Sequence, residues 1–234
     1  MKIISFFAKR CFLTMILLSS GILSFAQNSD WSLWTSMEAE KKLSKKWDLG
    51  VEAQYRLKDN MSVTDQIRIG ADISRKLGDY VKLGAGYELI AKHKIKQDNY
   101  VYRNRFRVQA TGSYKYARFT ASWRTRMQLT LMETEAPRGD IFEDDSYKWV
   151  WRNRFGLKYD IKKTPLKPYA NVELFQHLFS GSEPGYYKNR FSIGTEYKLN
   201  KRHSLEAGYI LETEVDTKKK YSNNVFKVGY VFSF

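Results

Sequence analysis

Apolar and polar residues alternate strictly along most of the chain after residue 46. From Trp47 to Leu57 every odd position is apolar or aromatic and every even position is polar, charged or glycine. Such a period of two places one greasy and one wet face on an extended strand. The pattern returns with Ile67, Ile69, Ala71 and Ile73, with Val81, Leu83, Ala85, Tyr87 and Leu89, and with Phe106, Val108 and Ala110. Phe119 to Leu129, Trp149 to Tyr159, Phe191 to Leu199, Leu205 to Leu211 and Phe226 to Phe234 continue it. A helical period fits none of these segments. Their lengths suit the roughly 9 to 11 residues that a tilted membrane strand requires.

The links between segments fall into two classes. Brief ones lie at 44–45, 78–79, 116–117, 163–166 and 200–202, and longer ones at 58–62, 92–99, 133–146, 180–186 and 217–222. Short turns at one end and longer loops at the other are the signature of a transmembrane β-barrel with periplasmic turns and external loops. The expected fold is therefore all-β: a single antiparallel barrel over residues 27–234, of ten to twelve strands. Counting Trp31 to Leu43 yields eleven segments, and twelve is favoured because single-chain bacterial barrels have even numbers. Glycines at 50, 70, 84, 86, 156, 194, 208 and 229 share the inward parity and suit a narrow, curved sheet. Tyr100, Tyr102, Tyr114, Tyr116, Tyr147, Trp149, Trp151, Tyr186 and Tyr187 concentrate near strand ends as interfacial girdles.

The first 26 residues stand apart from this pattern. Lys2, Lys9 and Arg10 precede an apolar run from Cys11 to Phe25, followed by small residues at Ser24 and Ala26. These features predict a cleaved export signal and a mature chain from Gln27. Cleavage removes the only cysteine, Cys11, and with it any disulfide or thiolate metal site. The formal charge of +15 falls to about +12 on removal of three basic residues. Export makes nucleic acid an improbable partner for that charge. No later stretch has 18 consecutive apolar residues, so no transmembrane helix is expected. The final Phe234 closes an alternating aromatic strand, the mark that barrel-assembly machinery reads. The outer membrane of a Gram-negative bacterium is the expected location, with its lipid and lipopolysaccharide as surroundings.

The mature chain resembles an uncharacterised family of small outer-membrane β-barrels, a domain of unknown function. The likeness lies in the tryptophan-bearing segment before Lys41 to Trp47, in Tyr102 to Phe106 and in Pro168 to Phe175. It implies a barrel and supplies no activity and no site residues.

One motif occurs three times, at Tyr102 to Phe106, Trp151 to Phe155 and Tyr187 to Phe191, each an aromatic, a base, Asn, Arg and Phe. With the aromatics toward lipid, Arg103, Arg105, Arg152, Arg154, Lys188 and Arg190 form an inward basic band near one mouth. Arg68 extends it, and Arg124 and Arg126 deepen it. One expectation is that the band pairs with inward Glu52, Glu88, Glu173, Glu196, Glu206 and Glu212. The other is an anion-attracting, porin-like lumen, since rings of Arg and Lys select anions. Small anionic solutes are the partners this implies, and no enzymatic role, cofactor or metal is expected. The alternative chemistry is a lipid hydrolase or acyltransferase using His177 before Ser180 and Ser182, whose spacing matches that pattern poorly. Glu143, Asp144 and Asp145 read as a solvated acidic loop.

Overall fold

The computed structural model describes residues 29–95, 97–132, 147–179, 184–215 and 221–234. The proposed export signal, the 133–146 loop with its acidic cluster, and Ser180 and Ser182 lie outside the described residues. Eleven strands follow one another: β1 (Ser29–Lys42), β2 (Trp47–Lys58), β3 (Val63–Leu77), β4 (Val81–Lys94), β5 (Asn99–Tyr116) and β6 (Phe119–Met132). They continue as β7 (Tyr147–Tyr159), β8 (Leu166–Phe179), β9 (Gly185–Lys198), β10 (His203–Glu214) and β11 (Ser222–Ser233). Each pairs with its chain neighbour, and β11 returns to β1 to close the barrel.

Closure explains the count. Every sequential pair is antiparallel, but β1 and β11 run parallel over Ser29↔Ser222 to Glu40↔Ser233. Eleven lies inside the expected range, one below the favoured twelve, and the barrel is mixed at this single seam. The segment before Leu43 is a full strand, so an odd number results and the barrel's first and last residues sit at opposite ends. Phe234 continues the seam, its amide donating to the Glu40 carbonyl at 2.9 Å.

Strands extend further into the links than alternation implies. The β2–β3 and β4–β5 connections shrink to residues 59–62 and 95–98, each shorter than the 160–165 link at the other end. The long-loop end is therefore defined by the connections 133–146 and 215–221. Asp59, Asn60 and Met61 pass the first tight turn with φ of 51°, 56° and 63°. Asp30 steadies it, its carboxylate accepting from the Asp59 and Asn60 amides at 3.1 and 3.0 Å. Gly78, at φ 73°, supplies the left-handed residue of the β3–β4 turn.

The outer surface is apolar at mid-height, where Ile69, Val108, Phe155 and Ile193 are 52–63% exposed. That surface suits hydrocarbon, and the strands pair into a closed sheet without a free edge, as a bilayer demands. Tyr100, Tyr102, Tyr114, Tyr116 and Tyr186 project outward near the rims as expected. Tyr187 does not. Phe175 pairs with Lys188 and Gln176 with Tyr186, so Tyr187 is the extra residue of a β-bulge. It turns inward and stacks on His177 at 3.7 Å, a re-aiming for which bulges are known.

Packing divides the interior. The buried side chains, among them Trp34, Ile90, Val101, Val150, Phe175, Ile210 and Val225, occupy the long-loop half or the middle of their strands. Trp34, Ile210 and Val225 form its apolar nucleus. Toward the short turns the inner face is lined by small residues. Gly194 and Gly208 oppose each other across β9 and β10 and leave the space that Tyr169 fills. An added Cβ would meet its hydroxyl at 2.6 and 2.8 Å respectively.

Candidate functional site

Inward-facing residues enclose a cavity of about 1230 Å³. Its lining reaches Lys201, Arg202 and Phe234 at the short-turn end and Asp30, Asp65 and Tyr221 at the long-loop end. Counted along that lining are seventeen Lys and Arg against ten Asp and Glu, a formal excess of seven positive charges. The alternation that makes the exterior apolar thus makes the interior basic.

Three carboxylates, two of them buried, organise most of the band. Glu173, 2% exposed, accepts from Arg124 at 2.7 Å, Arg152 at 2.9 Å and Arg190 at 3.2 Å. Glu88 accepts from Arg105 at 2.7 Å, with Arg68 and Arg107 at 3.8 and 3.9 Å. Glu212 holds Arg190 by a short ion pair and Lys188 at 3.7 Å. Nearer the short turns, Glu196 pairs with Lys158 at 2.8 Å and Glu206 with Lys227 at 2.7 Å. Glu206 also accepts the Tyr169 hydroxyl at 2.5 Å.

The structure brings together Arg68, Arg105, Arg124, Arg126, Arg152, Arg154, Lys188 and Arg190 on the lumen wall. Arg103 shares their face but lies outside the cavity lining, opposite Ile90 and Met132. Glu52 lines the cavity, and its partner in register is Glu38 rather than a base. The motifs of β7 and β9 flank β8, so Arg154 and Arg190 share Glu173 and Arg152 and Lys188 share Phe175, but the β5 motif has other partners. Arg105 opposes Glu88 and Thr130, whereas Arg154 opposes Arg124 and Glu173. Tilted strands shift register around a barrel, so sequence distance from a loop does not measure height.

Further members escaped the motif but obey the same parity. Arg107 reaches past Gly86 to Asp72, with Nε–Oδ1 at 2.8 Å; a Cβ on Gly86 would lie 2.1 Å from that carboxylate. Arg56 lies over the Trp34 ring at 3.5 Å, a cation–π contact. Asp65 is displaced into the lumen by a bulge that skips it between Arg56 and Leu57, where Lys58 and Lys92 approach at 3.6 and 3.7 Å. Parity could have found Arg107 and Arg56, whereas nothing in period two announces a bulge.

Charge is distributed unevenly around the wall. Strands β5 to β7 contribute six arginines and no carboxylate to the lining, while β1 to β3 contribute seven carboxylates and five bases. Like charges even oppose like charges in register, Arg124 with Arg154 on one wall and Glu38 with Glu52 on the other. The lumen therefore has a field directed across it as well as a net charge.

The three histidines sit apart from one another. His177 is buried inside the long-loop half against Tyr187. His93 contacts the Thr64 carbonyl at 3.2 Å and Asp98 at 3.0 Å. His203 meets the Tyr230 hydroxyl at 2.5 Å. Among the described residues, no group of three His, Cys, Asp or Glu side chains is placed to hold a metal ion.

A family model described as a protein of unknown function, DUF2490, matches residues 31–223. The chain belongs to this family. The match spans all the elements on which the resemblance rests, from Trp31 through the Tyr102 and Pro168 segments. No curated protein matches this DUF2490 chain. Among solved structures it is similar to the β-domain of the Bordetella autotransporter Brka, at 14% identity over 82% of this chain and 86% of that one, with a TM-score of 0.46.

Proposed function

We propose that this protein is a non-enzymatic barrel of the Gram-negative outer membrane whose net-basic lumen admits small anionic solutes. The observation that supports this reading is the wall formed by β5 to β7, six arginines without a carboxylate, in a cavity whose lining reaches both ends. An arginine-lined passage raises the local anion concentration and repels cations. In this proposal the signal is cleaved after Ala26, the short turns face the periplasm, and lipid and lipopolysaccharide surround the apolar belt. The assembly machinery engages the C-terminal strand, whose last residue, Phe234, completes the seam with β1.

The test is conductance of the purified protein in planar bilayers under a potassium chloride gradient. The expected result is a small conductance with a reversal potential on the anion side. A silent bilayer, or cation selectivity, would overturn the passage. Fractionation with the outer membrane and a mature N-terminus at Gln27 by mass spectrometry are the expected results for location. His177 has no catalytic part in this reading, so phospholipid hydrolysis that disappears in His177→Ala would refute it.

A further inference from the structure

We infer that the opposed arginines of β6 and β7 form a binding site for a tetrahedral oxyanion, either free phosphate or the phosphate group of a small ester. This deepens the proposed function and rests on the lumen being accessible to anions. In an antiparallel pair, directly opposed residues on one face are the closest side-chain neighbours, with Cβ atoms about 4.5–5.5 Å apart. Arg124 opposes Arg154, and Arg126 opposes Arg152. A single residue separates them along each strand, so all four project into the lumen as a two-by-two array, and all four line the cavity.

Like charges so opposed destabilise a sheet, and the protein's own compensation is incomplete. Glu173 serves Arg124 and Arg152 but shares its carboxylate with Arg190. Arg126 turns instead to a neutral acceptor, the Gln109 side-chain oxygen, through Nε at 2.9 Å and Nη2 at 2.6 Å. Among the described residues, neither Arg126 nor Arg154 forms an ion pair with a carboxylate. The Nε atoms of Arg124 and Arg152 are buried with no hydrogen-bond partner. Four cations facing one shared anion leave a net positive array on the lumen wall, which favours an anionic acceptor from outside.

The chemistry of that acceptor follows from the donors. A guanidinium presents paired N–H groups in a plane that match two oxygens of a phosphate, whereas a halide offers no such pair. Lipid phosphates are separated from the array by the sheet itself, since it faces the lumen while Thr125 and Asn153 face outward between the arginines, flanked by the exposed Trp123, Phe155, Met127 and Trp151. The ligand is therefore a soluble oxyanion.

Isothermal titration calorimetry of the detergent-solubilised, full mature barrel, at constant ionic strength, tests this with inorganic phosphate, glycerol 3-phosphate and chloride. The expected result is saturable one-to-one binding of phosphate and none of chloride. Glycerol 3-phosphate binding equally assigns the site to small esters, and its exclusion assigns it to free phosphate. Arg126→Gln and Arg154→Gln should each weaken phosphate binding at least tenfold, yet leave the unfolding temperature without phosphate unchanged or raised, because repulsion is relieved. Absence of phosphate binding, or lowered stability in both variants with unchanged phosphate affinity, would overturn the site. So would an equal loss of binding in Lys41→Gln/Lys42→Gln at the lumen mouth, which would signify a general field. Binding is measured here without transport. Phosphate binding by a barrel that conducts nothing sinks only the passage, and anion-selective conductance without phosphate binding sinks only the site.

Discussion

Glu173 and Asp160 each gather more than one base, yet they stand in opposite halves of the barrel and hold their partners under different conditions. Glu173 meets three arginines in the packed long-loop half, with its side chain 3% exposed. Asp160, in the β7–β8 turn, meets Lys167 at 3.0 Å and Lys115 at 3.3 Å with its side chain 37% exposed. The number of partners is similar and the energetic weight is not. Water screens the turn cluster and replaces any lost partner, whereas nothing replaces Glu173 among buried guanidiniums.

Glu173→Gln should break this comparison most severely. Leaving buried arginines uncompensated costs about 3–5 kcal/mol, measurable as a shift in urea unfolding of the barrel in lipid vesicles. A change below about 1 kcal/mol would mean that water already fills the long-loop half. Ile193→Arg asks what a single charge costs on the other face of the same wall. Near the middle of the bilayer the expected loss is about 2–4 kcal/mol, and near-neutral behaviour would contradict lipid contact there.

Tyr169→Phe removes the hydroxyl that bonds Glu206 while keeping the ring in its Gly194–Gly208 slot. The expected loss is about 1.5–3 kcal/mol, the range for a bond to a charged group, falling toward 1 if water takes its place. Asp160→Asn should be smallest, under about 1 kcal/mol. The Lys167 hydrogen bond, then that of Lys115, holds the Asp160 carboxyl below its usual range. Its contribution is thus complete at neutral pH and lost as the pH falls through the lowered folded-state pKa. Urea curves of variant and parent should differ slightly at neutral pH and coincide in acid, whereas a difference that grew in acid would reverse the assigned sign.

Much of this contrast is legible from residue order, but unevenly. The parity that sends Ile193 outward sends Glu173, Arg124 and Arg152 inward, and each was assignable to a face. Tyr187 was not, because one extra residue in β9 reverses parity and no composition marks it. The repeated motif correctly picked inward arginines, yet it aligned Arg105 with Arg154, which the register places against different neighbours. Glu52 was expected to meet a base and instead faces Glu38, since their strands pair at that level.

Residue order by itself therefore determined the all-β class, the two faces of each strand, the apolar exterior and the basic interior. Those follow from period two, a local property of extended chain. The tertiary structure alone decided the eleven-strand closure with its parallel seam, the bulges that turn Tyr187 and Asp65 inward, and the meeting of Arg124 with Arg154. These depend on register between strands, which is set by shear and closure of the whole barrel rather than by the alternation within any one strand.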